Sequence, residues 1–532
     1  MGAAAGVERV GQAAGGGDTP EGPAEGTERD LEPNNGHTDA LLLSPGVSVR
    51  GYVDAPEDPA QGDEDWYRLE VPEGGPALVS VTLSGADDLD LVLEWMNPEG
   101  GAKAKALVQA DVRERAPGAE RLPALRVQPG PLFLRVREGW YRGKARTGSR
   151  LPYELRAELS AFVEGTEAEP DDSVADAVPL ALGSAGRGTL GHLGDRDVWR
   201  IPLGEETAGA RARVTVSGVA GAEIELTAAF SGQGSALLSG TGGDGGGVTI
   251  RNLGLPRDGT TDLYITVRAA KGAAPETPYD ISVALEEPTT ERIEREPNDG
   301  PATATPLGEP GRVSGIIDRI EDVDIYALVV DRPATLQATL EPPLGLDLAL
   351  ELRGPDDDGR ARIDEAGPGE AEILRGYGVA AGTWTLVVRG HKGAFDAAAP
   401  YALDLVLGEA GGDETEPNDD RGSAGVQPLV LGAERQGWLH PRGDSDYWSV
   451  DLSAREEGTI VTVRARPPAE VPLDVALHGP DGARMSGRDG LVPGEDATFT
   501  QFLAPGLYHV RVSSPRTDAA NPREPYKLMV ME

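Results

Sequence analysis

Four times along the 532-residue chain a short acidic block recurs with its side chains in the same order. The blocks are Asp30-Leu31-Glu32-Pro33-Asn34-Asn35, Glu167-Ala168-Glu169-Pro170-Asp171-Asp172, Glu294-Arg295-Glu296-Pro297-Asn298-Asp299 and Glu414-Thr415-Glu416-Pro417-Asn418-Asp419. Each is followed, 28 to 33 residues on, by two aspartates one residue apart: Asp63 and Asp65, Asp195 and Asp197, Asp322 and Asp324, Asp444 and Asp446. Oxygen donors in two such clusters suit a hard cation, since calcium takes 6–8 oxygens at ~2.3–2.6 Å. If the fold brings the clusters together, their carboxylates would repel one another strongly without a cation. The competing reading is local. Asp and Asn are common turn formers, and a proline after Glu can simply hold an extended lead-in strand.

The residues around these marks say what must position them. The Glu before Pro sits at 32, 169, 296 and 416, so the repeat lengths are 137, 127 and 120. After the second Asp comes an alternating run: Tyr67, Leu69, Val71; Trp199, Ile201, Leu203; Tyr326, Leu328, Val330; Trp448, Val450, Leu452. Period two with polar residues between predicts a half-buried strand. Further on come Leu89-Asp90-Leu91, Ile224-Glu225-Leu226, Leu346-Asp347-Leu348 and Leu473-Asp474-Val475, then a strand such as Trp384-Thr385-Leu386-Val387-Val388 after Gly382. Every repeat closes on a Pro-Tyr pair, at Tyr153, Tyr279, Tyr401 and Tyr526. Repeats of roughly 120 residues, with short strands and no amphipathic helix, predict an all-β chain of antiparallel sandwiches with individual cores. The expected divisions are 1–27, 28–162, 163–287, 288–408 and 409–532. The first is expected to be a disordered leader, because residues 1–30 carry no apolar run and cannot act as a secretory signal.

Composition narrows the partners. With 89 acidic against 49 basic residues the formal net charge is -40, which opposes binding to nucleic acid or an anionic membrane surface. No stretch approaches the ~18 apolar residues of a membrane span. There is no cysteine, hence no disulfide, thiol nucleophile or thiolate zinc site. The chain is expected to be monomeric. A start without a signal leaves two expectations open: a protein retained inside, or one whose signal or acylated cysteine lies upstream.

The acidic block, the D-x-D-aromatic strand, the L-D-L strand, the glycine-led strand and the closing Pro-Tyr together resemble the bacterial pre-peptidase C-terminal domain. That family includes the related collagen-binding domains of clostridial collagenases. The resemblance runs over residues 28–532. It implies jelly-roll-like, non-catalytic β-sandwiches, four in tandem, of the kind appended to exported peptidases or found on cell-surface proteins. It also implies calcium ligands by position. These are Glu294, Glu296, Asn298, Asp299, Asp322 and Asp324 in the third repeat, and Glu414, Glu416, Asn418, Asp419, Asp444 and Asp446 in the fourth. In the first they are Asp30, Glu32, Asn34, Asp63 and Asp65, with Asn35 replacing the usual last acid. In the second they are Glu167, Glu169, Asp171, Asp172, Asp195 and Asp197, with Asp171 in place of Asn.

Enzyme chemistry lacks a constellation in the sequence. The histidines at 37, 192, 391, 440, 478 and 509 occupy non-equivalent positions, with no H-E-x-x-H and no G-x-S-x-G. His509 reads as a strand-face residue. Gly242-Gly243-Asp244-Gly245-Gly246-Gly247 lacks a following Lys and reads as a hairpin tip. Arg442-Gly443-Asp444-Ser445 copies an integrin-binding tetrapeptide, yet Asp444 already belongs to the aspartate pair. Trp140, Tyr141 and Trp438 are read as core or turn aromatics ahead of a ligand strip. The expectation is therefore an exported or surface-tethered array that binds an extracellular polymer, protein or polysaccharide, or acts as a spacer. The alternative is an accessory or targeting part of a secreted hydrolase.

Overall fold

A computed structural model describes residues 27–532, apart from 56–61, 100–103, 112–118, 140–146, 164, 193–194, 233–237, 244, 258–260, 357–358, 410–412 and 424–425. The expected leader at 1–27, but for its last residue, lies outside the described residues, as do Asp244, Trp140 and Tyr141. The described residues form strands throughout, and their only helical pieces are the three-residue turns Glu205–Thr207 and His391–Gly393. None of their helices is long and apolar enough to cross a membrane.

The period-two segments form strands with alternating burial, because successive side chains point to opposite sheet faces. Ala222–Phe230 alternates buried and half-buried along its whole length, and Tyr401–Gly408 and Tyr526–Met531 follow the same rule. The strands make four pairs of sheets. In the third pair one sheet runs, in spatial order, Thr305–Pro306, Val323–Val330, Gly382–Gly390, Leu348–Arg353 and Gly359–Ile363. Its partner runs Arg312–Gly315, Tyr401–Gly408, Ala334–Glu341 and Glu372–Val379. The fourth pair repeats this order from Gln427–Pro428 and Glu434–Gly437 onward, and the second from Val178–Pro179 and Ala185–Gly188. The first differs by one added edge strand, Thr27–Arg29, lying parallel to Ser48–Gly51. Apart from one hairpin in each, such as Leu348–Arg353 with Gly359–Ile363, consecutive strands alternate between the two sheets, which gives the crossed connections of a β-sandwich.

The chain divides into two compact units. One holds residues 1–176 with 188–196 and 271–278, and so contains the first sandwich. The other holds 177–187, 197–270 and 279–532. In the first unit the core gathers Tyr67, Leu69, Val81, Leu93, Leu134 and Tyr153. In the second, separate cores form around Tyr326, Leu350, Leu386 and Tyr401, and around Trp448, Val463, Val510 and Tyr526. All twelve core positions expected after the aspartate pairs are buried.

That register also fixes where the acids go. The strands begin at Glu64, Arg196, Val323 and Ser445, so the second aspartate of each pair sits two residues before the buried aromatic and on the same face. Asp65, Asp197, Asp324 and Asp446 are each 0% exposed. The third core is close-packed enough for a truncation to be felt. Leu386→Ala is expected to cost about 2–5 kcal/mol, read as a lower midpoint in chemical denaturation. A variant as stable as the parent would count against a single shared core in this sandwich.

Candidate metal centres

Backbone N–H groups orient the acids in the same way in each sandwich. The first acid of the block accepts from the residue after the glycine that ends a strand. Tyr52 N–H donates to Asp30 at 3.2 Å, Thr189 to Glu167 at 3.1 Å and Ile316 to Glu294 at 2.8 Å, and Trp438 donates to Glu414. The second acid accepts from the N–H two residues on, from Asn34 to Glu32 and from Asn298 to Glu296 at 3.0 Å each. Asp171 donates to Glu169 at 3.3 Å and Asn418 to Glu416 at 2.9 Å. The first aspartate of each pair accepts from Asp54 at 2.6 Å, Gly191 at 2.5 Å, or Asp318 and His440 at 2.7 Å. These neutral donors fix the direction of each carboxylate, and Asp63, Asp195 and Asp444 accept a second N–H from the residue that follows them.

The second aspartates are held by the closing tyrosines. Tyr153 donates to Asp65 and Tyr401 to Asp324 at 2.6 Å, and Tyr279 to Asp197 at 2.5 Å. Behind each tyrosine stands the first core aromatic of the aspartate strand. The hydroxyls of Tyr326 and Tyr401 meet at 2.6 Å, and Trp199 Nε1 donates to Tyr279 at 2.9 Å. Trp448 Nε1 donates to Tyr526 at 2.8 Å, and that hydroxyl faces Asp446. The fit is tight. A Cβ on Gly315 would lie 2.3 Å from the Tyr401 hydroxyl and 2.4 Å from Glu294, and one on Gly437 would lie 2.3 Å from the Tyr526 hydroxyl.

The fourth sandwich concentrates its charge most completely. Glu414, Glu416, Asp444 and Asp446 are all buried and offer one oxygen apiece within 4.8 Å of one another. Two oxygens on opposite sides of a calcium ion, each at ~2.4 Å, would stand about 4.8 Å apart. Glu416 Oε1, Asn418 Oδ1 and both oxygens of Asp446 make no well-aligned hydrogen bond. Burial and the surrounding acids push Glu416 up to about 10 and hold Asp444 and Asp446 well above the carboxylate range. Burial raises Glu414 to about 7. All-oxygen donors, buried and with several oxygens lacking a hydrogen bond, have the chemistry a hard divalent ion takes.

The other three sites vary on this plan. In the first, Asp30, Glu32 and Asp65 lie within the same distance, and burial lifts Asp65 to about 9. Glu32 is exposed there, whereas Glu169, Glu296 and Glu416 are buried. Turned inward, the Asn34 amide nitrogen reaches Asp65 Oδ1 at 3.0 Å and Glu32 Oε1 at 3.2 Å. In the second, Glu169 and Asp195 converge with His192, whose ring nitrogens stand 4.0 and 3.8 Å from them. Neither oxygen of the fully buried Asp171 makes a well-aligned hydrogen bond. In the third, Glu294, Glu296, Asn298, Asp322 and Asp324 are buried as expected, but Arg319 is among them. Its Nη1 donates to Asp318 Oδ1 at 2.7 Å and stands 3.0 Å from Asp322 and 3.7 Å from Glu296, and its Nη2 reaches Asp299 at 3.1 Å. A side-chain cation already occupies that donor set, which does not fit a metal ion as it stands.

The last residue of each block lies at the rim. Asn35, Asp172, Asp299 and Asp419 are exposed, and Asn35 and Asp299 accept from the residue between the paired aspartates at 3.3 and 3.4 Å. Sequence reasoning missed His192, Arg319, the tyrosine hydroxyls and the strand-ending glycines. The glycines carried a signal, since Gly188, Gly315 and Gly437 each stand seven residues before the first aspartate. Asp444 of the Arg-Gly-Asp-Ser string is 8% exposed and held by the His440 and Ser445 N–H groups, so it is committed to the site. His509 lies in the strand Leu507–Ser513 beside His478, as a strand-face residue.

No protein-family model matches the chain, and no curated protein matches it. Among solved structures it is similar to the pre-peptidase C-terminal domain of collagenase from Bacillus anthracis, at 14% identity over 20% of this chain and 93% of that one, with a TM-score of 0.17. It is also similar to the BSP domain of a biofilm-associated protein, at 9% identity over 91% of this chain and 97% of that one, with a TM-score of 0.12. Neither likeness decides function, and the sandwich assignment rests on the strands themselves.

The raised carboxylates set a pH dependence for the metal-free chain. A carboxylate that holds its proton more tightly folded than unfolded contributes stability that is complete below the ordinary carboxylate range. That contribution is lost as the pH rises through the raised values, about 7 for Glu414 and about 10 for Glu416. With chelator present, the melting temperature is expected to fall steadily between pH ~5 and pH ~9. A flat or rising profile in thermal melts would contradict the packing of these acids.

Proposed function

We propose that the chain is a non-catalytic, exported or cell-surface array of four β-sandwich modules, at 28–162, 163–287, 288–408 and 409–532. In this reading they bind an extracellular polymer, and calcium stabilises them. The observation that carries it is the fourth site, where four buried carboxylates converge on a space of calcium's dimensions, held by N–H donors that recur in every sandwich. Calcium abounds outside cells, so an acid cluster that needs it suits an exported protein. Glu414, Glu416, Asp444 and Asp446, with the Asn418 carbonyl, would hold the ion in the fourth module. Asp30, Glu32, Asn34, Asp63 and Asp65 would do so in the first, and Glu167, Glu169, Asp171, Asp195 and Asp197 in the second. Several modules on one chain bind a repetitive polymer with avidity even where each contact is weak. A targeting role beside a secreted hydrolase uses the same modules and differs only in what travels with them.

Calcium at ~100-fold excess over its dissociation constant should add about 2.7 kcal/mol per independent site. The melting temperature of the full chain is expected to rise with calcium, and the rise to shrink in Asp446→Asn. No shift at millimolar calcium would remove the calcium reading. Co-sedimentation with fibrillar collagen and with cellulose tests the polymer reading, which predicts depletion of the chain by at least one of them.

A further inference from the structure

The four sites share a scaffold, and the sharpest change in charge among them falls on the residue after the N–H donor that holds the first aspartate. That residue is Ala55, His192, Arg319 and Pro441 in turn. In the third sandwich its side chain turns inward and is only 5% exposed. The guanidinium lies among Glu296, Asp299, Asp318 and Asp322. Its remaining donor, Nε, gives a hydrogen bond to the carbonyl of Ser239 at 3.2 Å, in the edge strand Leu238–Thr241 of the second sandwich. A guanidinium keeps its charge at any pH a protein survives, and its planar fork serves several oxygens at once.

We propose that Arg319 is the resident cation of the third site, so that this sandwich and its contact with the second are set without a metal ion. A second positive ion within ~4 Å of the guanidinium would meet strong repulsion and would find the Asp318, Asp299 and Asp322 oxygens engaged. The site therefore excludes calcium while Arg319 stays in place. Asp318, whose counterparts are Asp54, Gly191 and His440, also accepts from the Arg251 N–H of the second sandwich, extending the clamp. The proposal builds on the calcium reading of the other sites without depending on it.

Calcium bound per chain, counted by equilibrium dialysis on the full-length protein, tests it. Arg319→Ala is expected to bind one more ion than the parent, and to lose that ion again when Asp324→Asn is added. Arg319→Lys is expected to gain none. In the parent, Asp324→Asn is expected to leave the count unchanged while Asp446→Asn lowers it by one. A drop of one ion in the parent on Asp324→Asn would overturn the proposal, and so would a folded Arg319→Ala that gains none. Should Arg319→Ala not fold in chelator, the parent with and without Asp324→Asn decides the matter alone. If the parent binds no calcium and Arg319→Ala binds one, Arg319 keeps its role and the calcium reading of the other modules falls.

Discussion

Each sandwich turns carboxylates inward at one end of its core, and that concentration of negative charge is the constraint on which the rest of the structure depends. An unpaired ionised carboxylate in a low-dielectric setting costs several kcal/mol or gives up its charge by taking a proton. The N–H donors recur at every site because they lower this cost locally and fix the direction of each oxygen. They are dipoles, however, and cannot cancel a net charge of several units. Three remedies remain: protons, metal ions, or a basic side chain. The raised carboxylates of the fourth site are what protons alone would look like. Arg319 is the third remedy in place.

The same acids also join neighbouring sandwiches, through their backbone. Glu296 donates from its N–H to the Asn252 carbonyl at 3.0 Å, and its own carbonyl accepts from Gly254 at 2.7 Å. Glu416 repeats this with Gly376 and Gly378 at 2.9 and 2.6 Å, and Glu169 with Ala124 and Arg126 at 2.8 Å each. Each of these joints is therefore closed by a pair of ladder bonds to the edge strand of the preceding sandwich. Edge strands need cover to avoid pairing with other chains, and here the next module supplies it. One residue then belongs to the joint through its main chain and to the charge cluster through its side chain. Glu32 has no such strand to lie against among the described residues, which accounts for its exposure.

Much of this was legible because it depends on period and order. The step from Tyr326 to Leu328 to Val330 fixes one sheet face, so burial of the aromatic and the aliphatics followed once the strand was recognised, while burial of Asp324 on the same face came only with the structure. The recurrence of marks likewise pointed to four repeated sheet pairs without any knowledge of how strands pair. What stayed hidden depends on contacts across long separations. Tyr401 is 77 residues from Asp324, and nothing in a Pro-Tyr pair says that its hydroxyl will reach an acid. Arg319 was concealed differently. It sits three residues before Asp322, where a basic residue beside an acidic turn reads as a surface ion pair, and only the fold shows that the side chain points inward.

Repetition gives these modules one scaffold, but a shared scaffold need not keep a shared charge balance. Arg319 and His192 both face the acids from this turn, so a substitution there changes what fills the cluster without disturbing the strands that hold it. A small residue, as at Ala55, leaves room for an ion. An imidazole, as at His192, sets a ring nitrogen beside the acids. A guanidinium closes the question permanently. Calcium dependence in such an array is then a property of each module rather than of the fold. The joint next to Arg319 carries an added bond for the same reason, from the guanidinium to the Ser239 carbonyl of the second sandwich.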